Sequence, residues 1–279
     1  MPWLIGTRRG LAAISAVCSA RNGIALSAVW LVLAGLLLQP LQAETLPETV
    51  ERVEGSVLGI ATFQPTRSPR IEYLATGFVV DDGRLVVTNR HAVPESLNDD
   101  QRERLVVVSG QGRDTVIRNA RVVAQSREHD LALLHIASPS LPALELGSSD
   151  SVRVGEEVAF TGYPIGMILG LYPATHRATI AAWTPMVIPA RSSGELDARR
   201  IRALRDDPPM VFQLDGTAYP GNSGSPLYRK HDGEVIGVIN QTFVQGGREA
   251  AVERPSGITY AIPAEQIRPL IREYHSSGQ

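Results

Sequence analysis

Short hydrophobic runs alternate with polar turn residues through most of this chain. Beyond residue 50, apolar and β-branched runs are separated by Gly, Pro, Asp or Asn, a pattern typical of strands joined by turns. The predicted strands lie in GSVLGIATF, ATGFVV, RLVVTN, RLVVVSG, TVIRNARVVA, DLALLHIA, EVAFTGYP, LYPATHRATIAAW, MVFQLDG, EVIGVINQTF and GITYAIP. Asp81-Asp82-Gly83 is expected to form a hairpin turn between two of them. Regular strands without alternating helices predict an all-β fold, either a sandwich or barrels.

Two segments depart from the strand pattern. Residues 193–207 are charged and loosely helical, and we interpret them as part of an exposed insertion at 185–209. Residues 263–275 predict a C-terminal helix packed on the body, because apolar residues recur there at helical spacing: Ile267, Leu270 and Ile271. A polar link within 144–156 then divides the body into two halves.

The N-terminal segment differs from the rest of the chain. Ile24 to Leu38 form a run of 15 residues without charge, and three arginines precede it: Arg8, Arg9 and Arg21. A basic region, an apolar run and a small-residue exit predict a secretory signal in residues 1–43, with cleavage after Ala43. A retained membrane anchor facing outward is the alternative, although the run is shorter than the roughly 20 residues of a spanning helix.

Composition adds few constraints. The formal charge of -2 and pI of about 6.3 give no indication of a nucleic-acid partner, and a membrane partner is expected only if the N-terminal segment is retained. No EF-hand loop, Walker loop, HExxH or paired CxxC is present, so neither a metal nor a cofactor is expected. The single cysteine, Cys18, precedes the apolar run, so an exported mature chain would contain no disulfide.

The stretch YPGNSGSP, residues 219–226, raises the question of catalysis. A serine hydroxyl is a weak nucleophile that needs a base, a group that orients the base, and donors for the oxyanion. Gly221 gives the backbone unusual freedom, so the N–H groups of Gly221 and Ser223, with Asn222 as a third candidate, are predicted to converge. Glycine-serine turns are common in secreted β proteins, so the stretch alone does not establish a nucleophile.

Two further residues complete the set. His91 stands where the apolar strand of VVTNRHAV stops, and Asp130 directly precedes the alternating run of DLALLHI. Each alone is equally typical of an ordinary loop or cap residue. Together with Ser223 they follow the chain order His, Asp, Ser of chymotrypsin-type proteases, which the other serine hydrolase orders do not share. The strand-rich body agrees with the two-barrel fold of that class.

The sequence also resembles a known family. The segments TGFVVDDGRLVVTNRHAV, EHDLALLHI, TGYPIG, QLDGTAYPGNSGSPLYRKHDGEVIGVINQTF and GITYAIPAEQIRPLI are similar to the protease domain of the HtrA/Deg family, in the same order, over about residues 50–273. The resemblance implies a chymotrypsin-like double β-barrel with a C-terminal helix. It assigns the general base to His91, its orienter to Asp130 and the nucleophile to Ser223, with the oxyanion hole at residues 221–223.

The same resemblance implies a biological setting. Members of the HtrA/Deg family are serine endopeptidases of extracytoplasmic protein quality control that cleave unfolded or extended polypeptides. Their protease domains often assemble as trimers. We therefore expect an N-terminal barrel over 44–145, a C-terminal barrel over 146–279, and a periplasmic or secreted location. The family usually carries a C-terminal PDZ domain, whereas this sequence ends just after the final helix, so a protease domain without a PDZ domain is expected.

Ser225 is a departure from the family, which usually has glycine there. GNSGSP also occurs in secreted glutamyl endopeptidases, but those carry a Thr and a His where this chain has Ala218 and Ile239. The predicted substrate pocket is instead small and mostly apolar, formed by Thr217, Ala218, Ile239 and Asn240. It predicts cleavage after small aliphatic residues such as Val or Ala. A narrow-specificity secreted protease and a non-catalytic peptide-binding module on the same fold are the alternatives.

Overall fold

The structure, a computed structural model, describes residues 44–112, 114–137, 139–164, 171–186, 208–242 and 257–278. The proposed signal or anchor at 1–43 lies outside the described residues, and so does nearly all of the predicted insertion at 185–209. Within the described ranges, no helix is both long and apolar enough to cross a membrane.

The described strands form two closed antiparallel barrels with the same topology. The first barrel contains β1 (Val57–Phe63), β2 (Ile71–Val80), β3 (Leu85–Asn89), β4 (Arg104–Gln111), β5 (Asp114–Ser126) and β6 (Leu131–Ile136). The second contains β7 (Glu157–Gly162), β8 (Ala174–Pro185), β9 (Met210–Asp215), β10 (Pro226–Arg229), β11 (Val235–Thr242) and β12 (Ile258–Pro263). Their orders are β1-β2-β3-β6-β5-β4 and β7-β8-β9-β12-β11-β10. The predicted all-β double barrel is confirmed.

Two helices lie outside the barrels. Helix α1 (Leu46–Glu54) was not predicted, although Thr45 and Glu48 have capping-box spacing and the Thr45 N–H donates to Glu48 Oε2 at 2.8 Å. Helix α2 (Ile267–Ser277) confirms the predicted C-terminal helix. It begins later than predicted because Pro263 ends β12 and residues 264–266 form a 3-10 turn.

Alternating side chains fill each barrel with an apolar core. The first interior contains fully buried Leu58, Ile60, Val86, Val107 and Leu134. The second contains fully buried Phe160, Ile180, Phe212, Leu214 and Ile236. A third cluster joins residues of both barrels to the helices, and it includes Val53, Phe78, Leu133, Tyr228, Val238 and Leu270. This shared core fixes one barrel against the other, so loops from both can form a single site.

Candidate active site

The pairing of β3 with β6 brings His91 and Asp130 together. Asn89, the last residue of β3, pairs with Leu131, the first residue of β6. The chain turns into a 3-10 helix directly after Asn89, and Asp130 directly precedes Leu131. Because the strands are antiparallel, the end of one and the start of the other meet at the same rim of the barrel. His91 and Asp130 therefore become neighbours although they are 39 residues apart.

The carboxylate of Asp130 contacts His91 through both oxygens. Its Oδ2 lies 2.6 Å from His91 Nδ1, and its Oδ1 accepts the His91 backbone N–H at 3.0 Å. Asp130 has a φ of 51°, in the left-handed region that aspartate tolerates better than most residues. The His91 side chain is 43% exposed and that of Asp130 21%. The imidazole thus reaches the surface while the carboxylate behind it is largely shielded.

A tight turn shapes the loop that carries Ser223. The Asn222 N–H donates to the Tyr219 carbonyl at 3.0 Å, which places Pro220 and Gly221 at the centre of the turn. Gly221 has a φ of 102°. A positive φ at the third residue is the signature of a type II turn, in which glycine is strongly favoured. The sequence GNSG therefore meets a specific backbone requirement.

The backbone donors of this loop are two rather than three. The N–H groups of Gly221 and Ser223 have no hydrogen-bond acceptor among the described residues, whereas that of Asn222 is used within the turn. The predicted contribution of Asn222 to an oxyanion hole is therefore not supported. Its side chain is fully buried behind the loop, where its amide has no partner in the described part of the chain.

The hydroxyl of Ser223 points to a backbone carbonyl. Ser223 Oγ donates to the Asn240 carbonyl at 2.9 Å, and no hydrogen bond joins Ser223 to His91 among the described residues. Asn240 lies at an irregularity in the pairing of β11 with β12, between Ile239 and Gln241. Hydrogen bonds between catalytic groups are often long or unformed without substrate, so this orientation is compatible with a resting site.

The four predicted pocket residues lie at the base of this loop and on β11. Ala218, Ile239 and Asn240 are each at most 3% exposed, and Thr217 is half-buried. Sequence reasoning missed Thr259 on β12, whose Oγ1 accepts the Ala218 N–H at 3.0 Å and donates to the Gly216 carbonyl at 2.8 Å. The alternation of GITYAIP, with Thr259 on the buried face, was the available signal. The assignment of a substrate pocket to these residues stays a prediction.

His176 on β8 is another titratable residue near the serine loop, which is the segment 216–225 between β9 and β10. Its ring stacks on Phe160 with centroids 4.9 Å apart and lies 6.1 Å from the ring of Tyr219. Its Nε2 is buried without a hydrogen-bond partner among the described residues. Burial therefore lowers the pKa of His176 from its ordinary value of 6.5. The neutral imidazole is the form that the folded chain accommodates.

This burial predicts a stability that depends on pH. The unfolded chain binds a proton at His176 more readily than the folded chain, so the free energy of unfolding is highest above about pH 6.5 and falls as the pH decreases. Denaturant unfolding between about pH 7.5 and pH 5.5 measures this slope. The slope should become shallower in His176→Phe, which keeps an aromatic ring at this position. An unchanged slope in that variant would contradict the prediction.

In the described residues, no group of three or more His, Cys, Asp or Glu side chains is arranged to hold a metal ion. The structure brings an imidazole and a carboxylate together at the rim of the first barrel, and the loop between β9 and β10 of the second barrel carries a serine hydroxyl and two backbone N–H groups. Twin six-stranded barrels, with His, Asp and Ser in that order along the chain, are typical of the chymotrypsin class of proteins. The chain belongs to the trypsin-like peptidase family, because residues 75–238 match the family described as "Trypsin-like peptidase domain".

Comparison with individual proteins confirms the likeness to HtrA/Deg proteases. Serine protease HTR4 of Bos taurus is 32% identical over 232 residues, covering 81% of this chain and 40% of the relative. A probable periplasmic serine endoprotease DegP-like of Halomonas elongata is 28% identical over 205 residues, covering 74% and 36%. The solved HtrA-type protease AlgW with decapeptide superposes with a TM-score of 0.60 at 22% identity, covering 85% of this chain and 69% of that one. The chain thus spans well under half the length of these two sequence relatives.

Proposed function

We propose that this protein is a serine endopeptidase in which Ser223 is the nucleophile, His91 the general base and Asp130 the residue that orients the base. The observation that carries the proposal is the 2.6 Å contact between His91 Nδ1 and Asp130 Oδ2 on a trypsin-like fold. A carboxylate at this distance favours the tautomer that carries its proton on Nδ1, which leaves Nε2 free to accept a proton from a hydroxyl.

The proposed reaction begins with a rotation of the Ser223 hydroxyl from the Asn240 carbonyl toward His91 Nε2. Attack on the scissile carbonyl forms the C–O bond while the hydroxyl proton moves to Nε2, and Asp130 stabilises the resulting imidazolium. The N–H groups of Gly221 and Ser223 then donate to the oxyanion of the tetrahedral intermediate. His91 returns the proton to the leaving amine, and water deacylates Ser223 by the same steps.

We further propose that the substrates are unfolded or extended polypeptides cleaved after small aliphatic residues. The buried, uncharged residues Ala218 and Ile239 support a small apolar pocket beside the serine loop. We also propose export to the periplasm and a part in protein quality control. Relatives named periplasmic serine endoproteases support this location, together with the basic and apolar pattern of residues 1–43.

A fluorophosphonate probe tests the proposal directly, because it reacts with activated serines. Purified protein is treated with the probe, the labelled peptide is identified by mass spectrometry, and cleavage of unfolded casein is measured in parallel. We expect a single label on Ser223 and a loss of casein cleavage in proportion to labelling. Absence of both label and cleavage would favour the binding-module alternative, and a label on another serine would refute the assignment of the nucleophile.

A further inference from the structure

Two peptide groups of the serine loop are each fixed at both ends. In the peptide between Gly221 and Asn222, the carbonyl accepts from Thr76 Oγ1 at 2.7 Å and the N–H donates to the Tyr219 backbone carbonyl at 3.0 Å. In the peptide between Ser223 and Gly224, the carbonyl accepts the N–H of Thr76 at 2.9 Å, and the N–H donates to Ile239 at 2.8 Å. Both groups therefore have fixed planes.

These two fixed peptides alternate with the two that supply the proposed oxyanion donors. The Gly221 N–H belongs to the peptide before the first fixed group, and the Ser223 N–H belongs to the peptide between the two. Because each peptide is planar, a donor N–H changes direction only when the dihedral angles beside the fixed groups change. The direction of the donors is thus set largely by the hydrogen bonds of their neighbours.

Thr76 is the residue that both fixed peptides share. It lies on β2 of the first barrel and is fully buried. Besides its two bonds to the serine loop, its Oγ1 accepts the Tyr163 N–H at 3.0 Å and its carbonyl accepts from Thr88 Oγ1 at 2.7 Å. Three of these four contacts cross from the first barrel to the second. The Thr76 hydroxyl therefore donates its one proton to the Gly221 carbonyl and at the same time accepts the Tyr163 N–H.

Close packing keeps the loop against Thr76. A Cβ added at Gly224, which has a φ of 84°, would overlap the Thr76 carbonyl oxygen. A Cβ added at Gly162 on β7 would lie 2.9 Å from Thr76 Oγ1 and would overlap Ser225 Oγ. The two glycines allow the backbones of the two barrels to approach closely enough for these hydrogen bonds.

We infer that Thr76 is a positioning residue for catalysis, which holds the oxyanion donors of Gly221 and Ser223 in their direction from across the barrel interface. This inference rests on the proposed function. Thr76 does not touch the substrate in this scheme and acts only through the loop backbone. In this proposal the first barrel contributes the base, its orienter and also the residue that directs the oxyanion donors.

Two substitutions separate the hydroxyl from the rest of the side chain. Thr76→Val keeps the shape and the bond from its N–H to Ser223, but it leaves the Gly221 carbonyl without its donor and the Tyr163 N–H without its acceptor. We expect kcat to fall about 10- to 100-fold while KM changes less than about threefold, because a misdirected donor weakens transition-state binding more than substrate binding. Thr76→Ser restores the hydroxyl and should remain within about threefold of the wild type.

A peptide boronate reports on the donors themselves, because its tetrahedral adduct with Ser223 places an oxygen in the oxyanion hole. In Thr76→Val its affinity should fall by the same factor as kcat/KM, while the affinity for a product peptide stays unchanged. Thr49→Val is the matched control. Thr49 is also fully buried and donates to one backbone carbonyl, that of Lys230 at 3.0 Å, away from the serine loop. It should lose stability without losing kcat.

The outcomes are distinct. Unchanged kcat and boronate affinity in Thr76→Val would overturn the inference and leave the proposed function intact. Equal losses of kcat in Thr76→Val and Thr49→Val, each in proportion to the unfolded fraction, would also overturn it in favour of a purely structural role. A wild type that neither hydrolyses peptides nor reacts at Ser223 would refute the proposed function, and the inference with it.

Discussion

Replacing His91 by Ala is expected to lower kcat about a million-fold, and replacing Ser223 by Ala should cost about as much. In the proposed mechanism the imidazole accepts the Ser223 proton, and the partner of the hydroxyl among the described residues is a carbonyl, which cannot act as its base. Without the hydroxyl, no acyl-enzyme forms. Hydrolysis of a chromogenic peptide, measured at saturating substrate, gives kcat for each variant.

The double variant is the sharper measurement. If His91 and Ser223 act as one unit, removing both should be no worse than removing either, so the two losses should not add. Residual turnover would then come from substrate binding and the backbone donors. His275→Ala is the matched control, since His275 is also an exposed histidine bonded to an aspartate, with its Nε2 2.9 Å from Asp81 Oδ2. Additive losses in the double variant would contradict the proposed mechanism.

The fold and the meeting of His91 with Asp130 could be predicted because the strand pattern is regular and the chain order His, Asp, Ser is that of chymotrypsin-type proteases. Each residue adjoins a strand whose alternation is clear, and the pairing of Asn89 with Leu131 makes them neighbours. Strand β10 was missed, because its four residues follow a glycine-rich loop and are too few for periodicity to appear. Helix α1 was missed because its nine residues are too few for a clear helical period, although Thr45 and Glu48 have capping-box spacing.

The contacts of the serine loop could not be predicted from the sequence. Thr76 and Gly221 are 145 residues apart, and a buried threonine in a strand is ordinarily a packing residue. Nothing in GNSG indicates that the Asn222 N–H closes a turn rather than faces the cleft. Such assignments depend on how closely two barrels approach, and that distance is set by glycines whose neighbours are remote in sequence.

Asp130→Asn is expected to lower kcat about 10,000-fold while leaving the fold intact. Asparagine has the same shape as aspartate and also tolerates the left-handed backbone of this position, where φ is 51°. The backbone N–H of His91 donates to one carboxylate oxygen at 3.0 Å, so the amide oxygen of the variant should take that place. Its NH₂ group then faces His91 Nδ1. The imidazole is forced into the tautomer with its proton on Nε2, which cannot accept the Ser223 proton.

Asp81→Asn is the control that separates an effect on the histidine tautomer from the effects of the left-handed backbone and of the lost charge. Asp81 also has a left-handed φ, of 60°, and its carboxylate also bonds a histidine, His275, but away from Ser223. The same substitution there should leave kcat unchanged. NMR of the His91 ring nitrogens should show the proton moving from Nδ1 to Nε2 in Asp130→Asn. Full activity in that variant, or lost activity with the proton still on Nδ1, would mean that Asp130 does not act by fixing the tautomer of the base.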